Sequence, residues 1–281
     1  MPPLGGCSAK AERGLYIHAD AAGANTLGTF ITYYYLCILF YAMNLIVDIG
    51  NTSTKLAVFK GSKKVSVSRI NDLSCEEFEN KLSDKRIKKV IVSSVKRLPH
   101  FITDLLVSHI PFVHILSYKS KLPFKIEYET PESLGSDRIA GVAGAYNLFP
   151  GENVLIIDAG TAITYDFLNG TVYKGGNISP GIEMRFKALH KFTSRLPLLS
   201  VRENYTFPGI NTNDAILSGV LNGSIYEINE YIRTFEKKHK NCKIILTGGD
   251  SGYLKDKLTP QVTYMPEIVI DGLNYILEYN A

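Results

Sequence analysis

Two short segments carry side chains suited to gripping phosphate. Asp48-Ile49-Gly50-Asn51-Thr52-Ser53-Thr54-Lys55 and Asp158-Ala159-Gly160-Thr161-Ala162-Ile163-Thr164 each set an Asp ahead of a Gly and several hydroxyls. Gly lets backbone approach an anion closely. Turn N–H groups and hydroxyls donate to phosphate oxygens. The Asp can hold a hydrated Mg²⁺, which takes one or two carboxylates plus phosphate oxygens. One Asp-Gly turn alone also ends ordinary strands that bind nothing. Two such turns, 110 residues apart at matched places, argue for a nucleoside triphosphate held between two halves. Gly248-Gly249, after a third apolar run, offers flat backbone for a nucleoside, although such pairs are common in turns.

A third segment, Gly135-Ser136-Asp137-Arg138, opens a helical pattern. Asp137 has two readings. It caps the helix, or it takes a proton from an attacking hydroxyl. Arg138 pairs with a carboxylate in either a surface ion pair or a ligand site.

The elements that must position these groups repeat. Asn44 to Val47 reads as a buried strand running into the first turn, and Leu56 to Phe59 as a second strand. Val65 to Ile70 continues as a third. Val154 to Ile157, Tyr165 to Leu168 and Thr171 to Tyr173 repeat that order, with an Asn169-Gly170 hairpin turn. Alternating helices and strands follow in each half. Lys89–Val95, Phe112–Leu116 and Cys242–Thr247 read as strands, and Leu98–His109, Asp214–Lys240 and Pro266–Tyr279 as helices. Asn211 to Asn213 supply caps. A helix from Asp137 to Asn147 is apolar over more than one face, which suits packing against a second copy of the chain or burial within its own.

Composition bounds the class. At roughly 150 residues per domain, 281 residues suggest one or two domains. Apolar residues at 45% and charged residues at 21% exclude disorder as the main state. A scattered net charge of +4 is no argument for nucleic acid. Cys7, Cys37, Cys75 and Cys242 form no metal-ligand spacing, and a reduced cytoplasmic setting fits them. Residues 1–42 differ in texture. Their apolar run from Phe30 to Ala42 is too short to span a bilayer. They are expected to stand outside the functional fold, with Met43 as its start. A membrane-associating or export segment and an ordered extra element are the other readings.

The paired turns resemble those of the acetate kinase, sugar kinase, heat-shock chaperone and actin superfamily. Within it the chain from Met43 onward resembles the type III pantothenate kinases. The residues that carry this are Asp48 to Thr52, Gly135 to Arg138, Asp158 to Ala162, Gly175-Gly176-Asn177-Ile178-Ser179-Pro180-Gly181, Thr193 to Pro197 and Thr247 to Gly249. Position 136 departs slightly, with Ser where the family more often has Ala.

The resemblance implies an α/β fold of duplicated ribonuclease H-like domains, the actin-like ATPase fold, with an ATP cleft between them. The first domain is expected at 43–150 and the second at 151–281, with the C-terminal helix packing back on the first. It implies Asp137 as catalytic base. ATP is assigned to Asp48, Ile49, Gly50, Asn51, Thr52, Ser53, Thr54, Lys55 and Thr161. Pantothenate is assigned to Tyr128, Gly135, Ser136, Asp137, Arg138 and Thr193, with Arg138 on its carboxylate. Asp48 would serve magnesium through water, and Asp158 a monovalent cation, potassium or ammonium. A cytoplasmic homodimer is implied, with the substrate pocket completed across its interface and no nucleic acid or membrane partner. A non-catalytic ATP-binding regulatory module is the alternative; the Gly-x-Asp-Arg segment favours an enzyme, since a binder needs no base.

Overall fold

In a computed structural model of the protein, residues 42–70 and 75–281 are described. The expectations for residues 1–41 lie outside them. The chain from Met43 to Ala281 is one compact unit.

Its first strand, β1 (Met43–Ile49), carries Leu45, Ile46 and Val47 fully buried. Such side chains contribute about 1.5–3 kcal/mol each when taken out of water. β1 pairs antiparallel with β2 (Thr54–Lys60), which pairs antiparallel with β3 (Lys63–Ile70). On its other edge β1 pairs parallel with β4 (Ile87–Ser94), and β4 with β5 (Phe112–Ile115). The order is β3-β2-β1-β4-β5. Helices α1 (Cys75–Leu82) and α2 (His100–His109) make the crossovers on this sheet.

The second sheet repeats the first. β7 (Asn153–Ala159) pairs antiparallel with β8 (Ala162–Asn169), and β8 with β9 (Val172–Pro180). β10 (Lys243–Thr247) and β11 (Thr263–Tyr264) add parallel on the other edge of β7. The short β6 (Lys125–Ile126), from the linker before the second half, joins the outer edge of β9. Strand for strand, the order and directions copy those of the first sheet. This is the duplicated ribonuclease H-like arrangement that the family resemblance implied.

Four helices complete the fold: α3 (Ser136–Leu148), α4 (Ile182–Phe192), α5 (Thr212–Lys238) and α7 (Ile268–Asn280), with a single turn, α6 (Ser251–Leu254), after β10. α5 is capped as expected, since the Asn211 side chain accepts the Asp214 N–H at 2.9 Å. α7 packs against α3 and is tied to β1, where the Asn44 side chain donates to Asn274 at 2.8 Å and to Glu278 at 2.6 Å.

One expectation changes here. The apolar circumference of α3 does not point outward. Every residue from Arg138 to Ala145 is buried within the chain, sharing a core with β1, β7 and α7. Its small residues serve α7: a Cβ on Gly144 would strike the Ile268 carbonyl, and one on Gly272 the Ala140 carbonyl. The alternative of burial inside its own chain holds for this helix.

Candidate active site

The carboxylates of the two turns lie at equivalent ends of the central strands. Asp48 pairs in register with Lys55 on β2 and Ser93 on β4. Asp158 pairs with Thr164 on β8 and Thr247 on β10. Each turn closes on itself, with Gly50 N–H donating to the Ser53 carbonyl and Gly160 N–H to the Ala162 carbonyl, both at 3.0 Å. The turns then meet: the Thr52 and Thr161 hydroxyls lie 3.1 Å apart.

Between them opens a cavity of about 280 Å³. Its wall includes Asp48, Gly50, Asn51, Thr52, Ser53 and Lys55 from the first turn, and Asp158, Gly160 and Thr161 from the second. Thr247, Gly248 and Gly249 close one side, and Asp137 another. Gly248 has φ +96°, and a side chain there would collide with the Ala159 carbonyl and the Asp158 carboxylate. Only glycine fits. Arg69, Glu183, Asp250 and Val269 also line the cavity and were not singled out in the sequence. Arg69, Glu183 and Val269 belong to no turn motif, and Asp250 follows the Gly248-Gly249 pair, which reads only as backbone for a nucleoside.

Not every expected residue reaches this wall. Ile49 and Thr54 are buried as strand residues flanking the turn. Gly135 precedes α3, and a Cβ there would come within 2.5 Å of the Asp137 carboxylate, so its lack of a side chain leaves room for that group. Ser136 is buried and its hydroxyl sits 3.0 Å from that of Ser93. Arg138 is buried against Asp166, with Nε donating to Oδ1 at 2.8 Å and Nη2 2.6 Å from the same oxygen. Tyr128 is half-buried and approaches Arg138. Thr193 is exposed at the end of α4, its hydroxyl donating to the Leu189 carbonyl at 2.7 Å.

Electrostatics single out the cavity. Burial pushes Asp48 above the usual carboxylate range and Asp137 adds to this, while Lys55 and the Ser93 hydroxyl oppose it. Asp158 is pushed up to about 7, by burial first and then by Asp137, Asp166 and Asp48 against the pull of Lys55. Crowded carboxylates facing one opening suit cations. Among the described residues no group of three His, Cys, Asp or Glu could hold a metal ion. The oxygen-only donor set instead suits a hydrated Mg²⁺ or a monovalent cation completed by phosphate oxygens.

Similar architecture occurs in solved structures. A Campylobacter jejuni protein described as a Baf family transcriptional activator superposes with a TM-score of 0.54 at 23% identity, over 84% of this chain and 98% of its own. The Listeria monocytogenes protein Lmo2764, described as an N-acetylmannosamine kinase, gives 0.53 at 11% identity, over 84% and 99%. These likenesses define the class: duplicated α/β halves of the actin-like ATPase and sugar kinase fold. The sequence comparisons narrow it. The family model for type III pantothenate kinase matches residues 44–234. Type III pantothenate kinases of Christiangramia forsetii and Bacteroides fragilis are 44% and 42% identical, covering 85% of this chain and 99% and 98% of their own length. The chain belongs to the type III pantothenate kinase family.

Proposed function

We propose that the protein transfers the γ-phosphoryl group of ATP to the primary hydroxyl of pantothenate. The products are 4′-phosphopantothenate and ADP, in the first step of coenzyme A synthesis. The observation that carries this reading is Asp137, a carboxylate on the wall of the cavity that gathers both phosphate turns.

In this reading Asp137 accepts the hydroxyl proton as oxygen attacks phosphorus. Phosphoryl transfer asks the protein mainly for positioning and charge neutralisation. Asn51, Thr52, Ser53, Thr161 and the turn N–H groups would hold the phosphates, with Lys55 as the nearby cation, while Ile49 and Thr54 fix the turn. Asp48 would hold magnesium through water and Asp158 potassium or ammonium. Bound there, the cations supply positive charge against the triphosphate. Gly135, Ser136, Tyr128 and Arg138 frame the acceptor side beside Asp137. Arg138 already pairs with Asp166 through Nε and Nη2, so any contact with the substrate carboxylate would use the remaining guanidinium nitrogen. The proposed setting is the cytoplasm, where ATP is available. Among the described residues no helix is long and apolar enough to cross a membrane.

A homodimer also belongs to this reading. Its support moves from α3 to the face of α4 and α5. There Leu189, Leu196, Ala215, Ile216 and Val220 line an apolar groove; Phe192 at the end of α4 and Ile210 just ahead of α5 stand about 80% exposed. Thr193, which follows the end of α4, is not among the residues lining Asp137's cavity, and in this reading it contributes to a partner's pocket. The division at 150/151 remains part of the same proposal.

The test is phosphorylation of pantothenate by the purified protein with ATP, with and without potassium. Formation of 4′-phosphopantothenate and ADP is expected. Phosphorylation of sugars or acetate in its place, or ATP binding with no transfer, overturns the reading.

A further inference from the structure

The first turn of α3 is anchored on both sides of Asp137. On one side the Ser136 hydroxyl meets Ser93 and donates to the Ser94 carbonyl at 3.2 Å, joining the turn to β4 of the first sheet. On the other, Arg138 reaches into the second sheet. Asp166 on β8 receives its Nε, and the same carboxylate oxygen accepts the Tyr173 hydroxyl from β9 at 2.6 Å. The second oxygen accepts Thr164 at 3.2 Å. Asp166 and Arg138 are both buried. Burial works against the Arg138 charge, and the Asp166 carboxylate overrides it, holding the guanidinium above its usual range. Gly176 permits the approach, since a Cβ there would come within 2.7 Å of Arg138 Nη2. A buried charge pair of this kind is weak evidence for stability, because desolvation offsets the attraction. It does fix direction and register, as a two-contact guanidinium does.

We propose that Asp166 is a positioning residue for the transfer: it holds Arg138, and through Arg138 the helix turn that presents the Asp137 carboxylate to the acceptor hydroxyl. This rests on the reading of Asp137 as base. The nucleotide side of the cavity has its own turns, and Asp166 bears on it only through its charge near Asp158.

The experiment compares wild type, Asp166→Asn, Asp137→Asn and the double variant. Each preparation is first titrated with ATP by calorimetry, which counts folded sites, and kcat is then expressed per ATP-binding site. For Asp166→Asn, kcat per site is expected to fall by about tenfold to a hundredfold, the scale for a misplacement of about an ångström, with the ATP Kd unchanged. The double variant is expected to be no slower than Asp137→Asn, because residues acting as one unit are not additive. Tyr173→Phe, which removes one hydrogen bond from Asp166 and leaves the charge pair, is expected to lose several-fold and guards against Asp166→Asn failing to fold. Unchanged kcat per site in both Asp166→Asn and Tyr173→Phe overturns the inference, as does a double variant slower than Asp137→Asn by the full Asp166→Asn factor. Wild type that phosphorylates pantothenate while these variants match it sinks the inference alone. Wild type that transfers no phosphoryl to pantothenate sinks the functional reading, and the inference with it.

Discussion

Asp137 and Asp158 face one cavity, and the duties proposed for them differ. Asp137→Asn is expected to lower kcat by on the order of a hundredfold or more, the usual size of a general-base contribution, with ATP binding retained because the turns hold the nucleotide. Unchanged turnover would return Asp137 to the local role it also fills, accepting the Arg138 N–H at 2.8 Å. Asp158 has a stability consequence of definite sign. Its carboxyl rises from 3.8 to about 7 on folding. A raised carboxyl favours the fold while protonated, so that contribution is complete below about 3.8 and is lost as pH climbs to about 7. In potassium-free buffer, Asp158→Asn should match wild type in urea midpoint near pH 4 and exceed it at pH 8. Parallel midpoint-against-pH curves would remove the shift. The same variant should lose activation by potassium in the phosphorylation assay; full wild-type activity with sodium as the only monovalent cation would remove the assignment of Asp158.

At the scale of elements, the contact between α3 and α7 is the critical one. Gly144 and Gly272 let the two helices approach until each backbone lies where the other's Cβ would be. Gly272→Ala is expected to destabilise by about 1–3 kcal/mol, the range for overpacking a well-filled interior, or more because the obstacle is backbone. Urea unfolding measures it, and an unaltered midpoint would mean the helices have slack. Because α3 also carries Asp137, kcat should fall in the same variant. The apolar spacing announces α3, and the family resemblance sends the C-terminal helix back to the first half, but the close fit of the two helices is set only in the fold, since α7 lies over a hundred positions downstream.

For the whole molecule, the proposed homodimer rests on the apolar groove between α4 and α5. Ile210, just ahead of α5, is 82% exposed, and Ile210→Asp would set a charge beside the start of that helix without touching the core. The expected result is a shift from dimer to monomer in analytical ultracentrifugation at micromolar protein, with loss of pantothenate phosphorylation. A wild-type protein that is monomeric and fully active at that concentration would end the shared-pocket proposal.

The sequence alone determined the strand-turn-strand repeats, both phosphate turns and the Gly-x-Asp-Arg helix start, because each is written in neighbouring residues. Strands with Leu45 to Val47 and Val154 to Ile157 bury both faces, and Asp-Gly turns have few alternatives. The α4 helix, the short strands β6 and β11, and the cavity residues Arg69 and Glu183 were not legible, since no local period or motif marks them. Tertiary structure alone decided where charges and apolar faces meet. Arg138 reads as a surface or ligand-facing cation, yet it pairs with Asp166, 28 residues away, because β8 runs beside the start of α3. The all-round apolar character of α3 reads equally as interface or interior. It is interior, because α7 returns from the end of the chain to cover it, and a return across that distance leaves no trace in local sequence.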